Sequence, residues 1–459
     1  MKKALLYVLL AAAAVYFAWQ IAHVDKQKGF TEAVPVWIEN DSAQAIESRI
    51  RSDFRLTRAE ALAKIQEKHP EVTEADLDRF LANHYVEAKM IDGQQFFHRK
   101  SPGNLELLNP DYNGGRRYRG DHASAARISY VDSVLNYYKG TNPEGRAHKV
   151  TYSFSIDVPF DSALVGDTLR VWMPLPLNNP EGGRQSDVTI LDAEPANYVT
   201  SDGRSMHNTV YFAAPAAATP GDTVHFEYVG SFVTRGAWMA ADEIQKRLKP
   251  YDKNSDTYRR YTQVELPHVI RLDSLAKAIV GDETNPFRQS EMVYDYIIRT
   301  YPWAGAREYS TIECMPEYVV TEGHGDCGQV SLLYISLMRT LGVPARWESG
   351  WMLHPGETNL HDWAEVYFEG IGWLPVDVSF GRYTTSDNPD VVGFYSHGID
   401  GHRFATNQGV CGELYPAKKF VRSETVDFQL GEVECSKGNL FYPGWNSHLR
   451  LIKVEPVAE

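Results

Sequence analysis

Cysteine is scarce in this sequence of 459 residues, which has four: Cys314, Cys327, Cys411 and Cys435. Four cysteines are too few for a disulfide framework to replace a hydrophobic core. A bond between Cys411 and Cys435 stays open, because sequence alone does not give the distance between two thiols. Apolar residues make up 43% of the chain, and the length allows about two to four globular domains.

The sequence also lacks an excess of basic residues. Its formal net charge is -14, and it has no long run of one charge sign. Binding to nucleic-acid phosphates requires a basic surface, so nucleic-acid binding is excluded as the main function. Internal repeats and low-complexity tracts are absent as well, which leaves an ordinary globular protein.

The N-terminus has a basic start followed by an uncharged run. Lys2 and Lys3 precede residues 4–22, which contain no charged side chain. This pattern predicts a signal peptide or a single membrane anchor over residues 1–23. Small residues favour a cleaved signal, whereas the aromatic residues and the length favour a retained anchor, so both alternatives stay open. We therefore expect an exported bacterial protein of the periplasm or cell envelope.

Residues 24–125 are predicted to form a mainly helical module and a linker. Thr57 and Glu60 have the spacing of a capping box, and Thr73 is placed to begin a second helix. A stretch rich in glycine, asparagine and arginine over 101–125 predicts a surface loop. In an exported acidic protein, these short helices fit packing or substrate positioning better than DNA binding.

Residues 148–236 are predicted to form a β-sandwich-like domain. Apolar residues alternate along 150–158, and further strands follow between turns rich in glycine and proline. No side chain in this domain suggests chemistry, so we expect it to support its neighbour. The neighbour is a catalytic core over residues 237–382, and residues 383–459 are expected to form a C-terminal extension packed on that core.

A cysteine stands at the start of a strongly periodic helix. Gly325 and Asp326 form a polar turn before Cys327, and apolar residues then recur at three- and four-residue spacing up to Leu341. The pattern places Cys327 at a helix N-terminus, where backbone N–H groups and the helix dipole stabilise a thiolate. A reactive thiol is therefore favoured over the alternative, a buried structural cysteine.

A predicted β-hairpin follows and contains a histidine and an aspartate. Apolar and polar residues alternate from His361 to Phe368, and a glycine-containing turn leads into a second strand. Pairing of Phe368 with Trp373 would place Asp377 on the wrong face of the hairpin, so we expect a bulge to correct it. Together with the thiol, His361 and Asp377 would supply a base and the group that orients this base.

These motifs resemble the transglutaminase-like superfamily of papain-type thiol enzymes. The resemblance rests on LGVPAR after the cysteine helix, then HDWAEVYF, then GWLPVDVSF, and it covers about residues 266–382. It implies an α+β fold in which the cysteine helix packs on an antiparallel sheet. It also implies that Cys327 is the nucleophile, His361 the base and Asp377 the orienting acid.

The resemblance further implies an oxyanion hole, built from the backbone N–H of the nucleophile and one upstream side chain. No motif fixes that side chain. Trp303 and His324 are the candidates, each with a structural role as the alternative. The spacing of Cys314, His324 and Cys327 does not match a zinc site, so we expect neither a metal nor another cofactor.

The sequence thus predicts an exported cysteine enzyme that forms a thioester from a peptide-like amide. Its expected partner is a peptide or protein substrate of the cell envelope, and water is preferred over an amine as acyl acceptor. The alternative is a non-catalytic envelope protein that uses the same fold for binding or assembly. A complete set of cysteine, histidine and aspartate argues against this alternative, since binding does not require all three.

Overall fold

The computed structural model describes residues 37–38, 42–113, 125–141, 146–179, 183–382 and 386–458. The predicted signal peptide or anchor lies outside these ranges. Within them, no helix combines the length and the apolar character needed to cross a bilayer. The chain divides into two compact units: the described residues 42–102 form one, and residues 37–38 and 103–458 form the other.

Helices occur in both units. Along the chain they are α1 (Ser42–Asp53), α2 (Arg58–Gln66), α3 (Glu74–Ala82), α4 (Ser101–Leu108), α5 (Ala125–Tyr138), α6 (Ala241–Arg247), α7 (Asp256–Tyr261), α8 (Asp273–Val280), α9 (Pro286–Thr300), α10 (Met315–Glu322), α11 (Cys327–Thr340), α12 (Val378–Gly381) and α13 (Pro389–Val392). Helix α11 is the predicted cysteine helix.

Strands also occur in both units. Along the chain they are β1 (Trp37–Ile38), β2 (Phe54–Thr57), β3 (Ala88–Ile91), β4 (Gln94–His98), β5 (Ala147–Pro159), β6 (Thr168–Pro174), β7 (Gln185–Glu194), β8 (Val199–Thr200), β9 (Thr209–Pro215), β10 (Thr223–Arg235), β11 (Ala237–Trp238), β12 (Ala345–His354), β13 (Glu357–Phe368), β14 (Gly372–Val376), β15 (Gly398–Ile399), β16 (Arg403–Asn407), β17 (Glu432–Glu434), β18 (Asn439–Leu440) and β19 (Asn446–Val457).

The smaller unit mixes helices with a sheet, whereas the sequence predicted a mainly helical module. Strand β4 lies between β2 and β3, and both pairings are antiparallel. The strands form because their aromatic residues, among them Phe54 and Phe97, are buried in this unit. The local helix signals are nevertheless confirmed: Thr57 and Glu60 form a capping box, and Thr73 is the N-cap of α3.

The predicted surface loop contains helical structure. Residues 101–108 form α4, whose second residue is Pro102. Proline has no backbone N–H, and it is tolerated here because the N–H groups of the first helical turn have no acceptor within the helix. Helix α5 was not predicted. Its buried residues Val131 and Val134 belong to the same hydrophobic core as α11, so α5 is part of the larger unit's interior.

The larger unit contains the predicted sandwich, completed by strands distant in sequence. One sheet has the order β19-β5-β10-β7, and the other β1-β18-β17-β6-β9-β8. Residues of β5, β6, β9 and β10 fill a common core. Strand β19 pairs along β5, and β17 pairs with β6. Residues 432–457 therefore complete the sandwich, which differs from the predicted extension packed on the catalytic core.

The second half of the larger unit is the predicted helix-on-sheet core. Its sheet has the order β14-β13-β12-β16. Val330, Leu333 and Leu337 of α11 share one hydrophobic core with Ala364 and Val366 of β13. This confirms the α+β prediction and places the start of α11 beside the middle of β13.

Candidate active site

Cys327 is the first residue of α11. The carboxylate of Asp326 accepts a hydrogen bond from the backbone N–H of Gln329 at 3.1 Å, and the Gln329 side chain accepts one from the N–H of Asp326 at 3.0 Å. This capping box satisfies two backbone donors and fixes where the helix begins. The preceding helix ends at Gly323, whose φ of 74° suits glycine. The predicted placement of the half-buried thiol at a helix N-terminus is therefore confirmed.

The surroundings of this thiol include groups that oppose the thiolate expected from the sequence. Burial, followed by the carboxylates of Asp362 and Asp326, raises the pKa of Cys327 well above its usual range. A helix N-terminus stabilises a negative charge by about 0.3–1 kcal/mol. Two carboxylates in a low-dielectric surrounding act more strongly in the opposite direction. These surroundings oppose the thiolate that the helix N-terminus favours, and the predicted thiolate stays a prediction.

The thiol lies against an aspartate that the sequence analysis did not single out. Sγ of Cys327 is 3.4 Å from Oδ2 of Asp362, a residue that is only 2% exposed. The amide of Gln429 donates to Oδ1 of Asp362 at 2.8 Å. The same amide also donates to the carbonyl oxygens of Gly350 and His361, at 2.9 and 3.1 Å. Gln429 therefore fixes both the carboxyl group and the strand that carries it.

His361 and Asp377 form a buried pair. Nε2 of His361 is 2.7 Å from Oδ2 of Asp377, and Asp377 is fully buried. The other oxygen, Oδ1, accepts from the backbone N–H of Phe380 at 2.9 Å, because Asp377 is the N-cap of α12. The Phe380 ring packs against the imidazole, with centroids 4.2 Å apart. Both members of the pair are thus held in place by neighbouring groups.

The hairpin that joins them has a different register from the predicted one. Phe368 pairs with Gly372, not with Trp373, and the β13–β14 ladder continues without a bulge. A shift of one residue reverses the face of every following side chain. It places Asp377, just beyond the end of β14, on the face of His361. Gly372 has a φ of 106°, a conformation that favours glycine at the end of this turn.

Arg403 of β16 binds Asp377 as well. Its Nη1 is 3.0 Å from Oδ2 of Asp377, and its Nη2 is 2.7 Å from Oδ2 of Asp400. Burial by itself raises the pKa of Asp377, but His361 and Arg403 together lower it below its usual value. The three-residue spacing between Asp400 and Arg403 is a weak signal of an ion pair.

A hydrogen bond joins two of the three residues of the predicted triad. A hydrogen bond links His361 to Asp377, whereas the side-chain hydrogen bond of Sγ goes to Asp362. Within the described ranges, no hydrogen bond joins Cys327 to His361. The β12–β13 ladder runs without a bulge, so neighbouring residues of β13 point to opposite faces. The triad of Cys327, His361 and Asp377 therefore stays a prediction.

The contacts of the described residues do not decide between Trp303 and His324 as the second group of the oxyanion hole. His324 is buried, and its ring lies 6.0 Å from that of Tyr318. Trp303 is half-buried. Their suggested roles stay predictions. All four cysteines are free, with Cys411 exposed and Cys435 buried, so the disulfide that the sequence left open is not formed.

Residues 273–378 match the family model of the transglutaminase-like superfamily. The chain carries a transglutaminase-like domain. The matched span contains the cysteine helix, the β13–β14 hairpin, the first two sequence motifs and the third motif up to Val378. The resemblance stated from those motifs is therefore confirmed.

Two relatives of low identity match parts of the chain. An uncharacterised protein of Haemophilus influenzae is 24% identical over 280 residues, which are 53% of this chain and 71% of that protein. YebA of Bacillus subtilis is 28% identical over 178 residues, which are 32% of this chain and 24% of YebA. This chain therefore spans most of the first relative but only a small part of YebA.

Two solved structures are similar to parts of the chain. A candidate cysteine protease from Cytophaga hutchinsonii has a TM-score of 0.41 at 13% identity, covering 68% of this chain and 93% of that one. The periplasmic domain of TgpA from Pseudomonas aeruginosa has a TM-score of 0.27 at 14% identity, covering 55% and 91%. Both scores lie below 0.5, so the assignment of the transglutaminase-like domain rests on the family model.

Gly328 has no side chain, which allows Tyr309 and Asp362 to pack closely against the start of α11. A Cβ at this position would lie 2.3 Å from the Tyr309 hydroxyl and 2.7 Å from Oδ2 of Asp362. We expect Gly328→Ala to displace Asp362 and to lower the free energy of unfolding by about 1–3 kcal/mol, the usual result of overpacking. Urea unfolding at neutral pH measures this change.

Gly103→Ala is the matched control for that substitution. Gly103 lies in α4, and nothing lies within 4 Å of a Cβ placed there. Alanine in a helix is favoured over glycine by about 0.5–1 kcal/mol, so the control should not lose stability. Equal stability of the Gly328→Ala variant and the native protein would contradict the close approach of Asp362 to the start of α11.

Proposed function

We propose that this protein is a cysteine-dependent acyl-transfer enzyme that hydrolyses an amide bond of a peptide or protein. The observation that carries the proposal is the buried His361–Asp377 hydrogen bond of 2.7 Å in the domain that presents Cys327. A buried ion pair contributes little net stability, because the loss of hydration offsets the attraction. Its presence in the domain that presents a half-buried thiol supports a catalytic role.

Each residue has a role in this proposal. Sγ of Cys327 attacks the carbonyl carbon and forms a thioester as the amine leaves. His361 exchanges protons with the reacting groups, and Asp377 fixes the orientation of its imidazole. The positive end of the helix dipole at the start of α11 favours negative charge on the carbonyl oxygen. Water then hydrolyses the thioester.

The proposed substrate is a peptide or protein of the cell envelope. The uncharged segment over residues 4–22, with its two preceding lysines, supports export by a signal peptide or anchor. Cell-wall peptides are one class of amide that an exported enzyme encounters. Water is the default acyl acceptor, and no described feature supports a dedicated amine site.

Labelling with a peptidyl acyloxymethyl ketone probe tests the proposal. Such probes alkylate a catalytic thiol through the same approach that a substrate carbonyl uses. We expect the label on Cys327 in preference to Cys411, an exposed thiol that serves as an internal control. Peptide mass spectrometry identifies the labelled residue. A screen of peptides and cell-wall fragments then identifies which amide is hydrolysed.

His361→Ala should abolish this labelling, whereas His225→Ala should not. His225 is a partly exposed histidine that pairs with Asp157 on the sandwich, so its loss removes an imidazole without touching the site. Labelling confined to Cys411, or unaffected by His361→Ala, would overturn the proposed enzyme. That outcome would favour the non-catalytic binding or assembly protein.

A further inference from the structure

We propose that a cavity between the start of β7 and the sheet of the transglutaminase-like domain binds a carboxylate group of a peptide. The cavity has a volume of about 640 Å³, which lies within the range of ligand-binding sites. The inference rests on the proposed function for the class of ligand, a peptide, but it requires no reaction of the thiol. It assigns a binding site in addition to the pair of His361 and Asp377.

Two arginines line this cavity, one from the sandwich and one from the transglutaminase-like domain. Arg346 lies on β12 opposite Glu365 of β13, and Arg184 immediately precedes β7. Nη2 of Arg184 donates to Oε2 of Glu348 and, at 3.4 Å, to Oε1 of Glu365. Nε of Arg346 donates to Oε2 of Glu365 at 2.6 Å, and Nη2 lies 2.5 Å from the same oxygen. The four side chains therefore form one network of two cations and two anions.

The hydrogen bonds of this network use the carboxylate oxygens but leave some guanidinium donors unused. Glu348 also accepts from Nε1 of Trp363 at 2.7 Å and from the side-chain amide of Gln408 at 2.8 Å. An arginine has five N–H donors. Within the part of the chain that the structure describes, Nε and Nη1 of Arg184 and Nη1 of Arg346 donate no hydrogen bond. The cavity therefore has spare cationic donors, which suit an anionic acceptor.

Neighbouring side chains fix both arginines before a ligand binds. The ring of Trp373 packs on the Arg346 guanidinium, with its centroid 4.1 Å from Cζ. Gln185, next to Arg184, accepts from the backbone N–H of Ala405 at 2.6 Å and donates to its carbonyl oxygen at 2.8 Å. These contacts hold the start of β7 against β16. Binding should therefore cost little conformational entropy in the protein.

The groups around the arginines favour a carboxylate over a doubly charged anion. The buried glutamates Glu348 and Glu365 line the same cavity, and they repel each further negative charge on a ligand. The planar fork of an arginine matches the two oxygens of a carboxylate. Asn178 and Asn179 line the cavity with exposed amide side chains, which can bind main-chain groups of a peptide. The C-terminus of a peptide and an acidic side chain both provide the required group.

Three acetylated tripeptides test the site by isothermal titration calorimetry at low ionic strength. Acetyl-Ala-Ala-Ala has a terminal carboxylate, acetyl-Ala-Glu-Ala-amide has a side-chain carboxylate, and acetyl-Ala-Gln-Ala-amide has neither. We expect at least one carboxylate peptide to bind about tenfold or more tightly than the neutral peptide, because only it forms charge-assisted hydrogen bonds with both partners ionised. The tighter of the two shows which carboxylate the cavity binds. Equal affinity of all three peptides, or tighter binding of inorganic phosphate than of either carboxylate peptide, would overturn the proposal.

Arg184→Lys connects this affinity to the cavity. Lysine keeps the positive charge beside Glu348 and Glu365, but these carboxylates would occupy its single nitrogen. The affinity for the carboxylate peptide should fall by about tenfold or more, whereas the affinity for the neutral peptide should not change. Arg170→Lys is the matched control, because Arg170 pairs with the buried Glu434 outside the cavity. This control should bind the carboxylate peptide as the native protein does.

A second variant covers the case in which Arg184→Lys does not fold. Arg346→Lys removes the spare donors of the other arginine and should also weaken binding of the carboxylate peptide. Binding that is unchanged in the folded arginine variants, or equally weakened in Arg170→Lys, would overturn the site. Failure of the proposed function is recognised separately, because hydrolysis would then persist in Cys327→Ala while these affinities would stand.

Discussion

Cys327→Ala is expected to abolish amide hydrolysis, lowering kcat/KM by at least about 10⁴-fold. The reason is that alanine has no atom that can form the thioester, and loss of a covalent nucleophile costs factors of this size in comparable enzymes. The fold should be retained, because alanine is well tolerated at a helix start whose capping box is formed by Asp326 and Gln329. The loss is measured in a peptide hydrolysis assay that monitors the released amine.

Cys411→Ala is the control for this variant. Cys411 is an exposed free cysteine, so its removal should leave hydrolysis unchanged. Near-native circular dichroism of both variants would show that the difference arises from chemistry. Hydrolysis that persists in Cys327→Ala would contradict thiol catalysis.

Arg403→Met is expected to lower the free energy of unfolding by about 3–5 kcal/mol, the usual cost of removing one partner from a buried ion pair. Arg403 is 1% exposed and contacts two fully buried carboxylates, those of Asp377 and Asp400. Methionine would fill a similar volume but would leave both carboxylates without this cation. Urea unfolding at pH 7 gives the difference.

The effect should also depend on pH. Interaction with Arg403 lowers the pKa of Asp377 and of Asp400 in the folded protein, against the opposing effect of burial. A lowered folded-state pKa contributes stability above the unfolded value, about 3.9, and this stability is lost as the pH falls through the folded value. In Arg403→Met both pKa values should rise, so acid unfolding should begin at a higher pH.

Arg259→Met provides the comparison for the loss of a positive charge. Arg259 pairs with Asp256 on the surface, where both side chains are mostly exposed. Exposed pairs of this kind contribute about 0–1 kcal/mol. If Arg403→Met is no more destabilising than Arg259→Met, the buried network does not stabilise the fold as inferred.

The sequence was most informative where structure depends on neighbouring residues. The start of α11 follows from the glycine, the capping aspartate and the apolar period after Cys327, all of which are local. The β13–β14 hairpin follows from alternation and its glycines. The register of the hairpin did not follow from the sequence, because the backbone conformation of the turn at Gly372 decides whether the strands pair with a shift of one residue. The sequence predicted that a bulge brings Asp377 to the face of His361, whereas the register of the hairpin does so without a bulge.

Contacts that reach the site from distant segments were not predicted. Gln429 and Arg403 reach β13 and Asp377 from 67 and 26 residues further along the chain. No local pattern marks such contacts, since they arise only when the sheet and the C-terminal segment pack together. Asp362 was overlooked for another reason. It adjoins His361, and a histidine is the more familiar partner of a thiol.

The position of β19 has a consequence for how the chain folds during synthesis. Strand β5 is made early, yet it pairs with the last strand of the described chain. Loop closure over so many residues is slow, and an unpaired edge is prone to aggregation until it is covered. The sandwich therefore cannot close until β19 has been synthesised. Because Gln429 lies shortly before β19 in the chain, the surroundings of the Cys327 thiol are also incomplete until that segment has been synthesised.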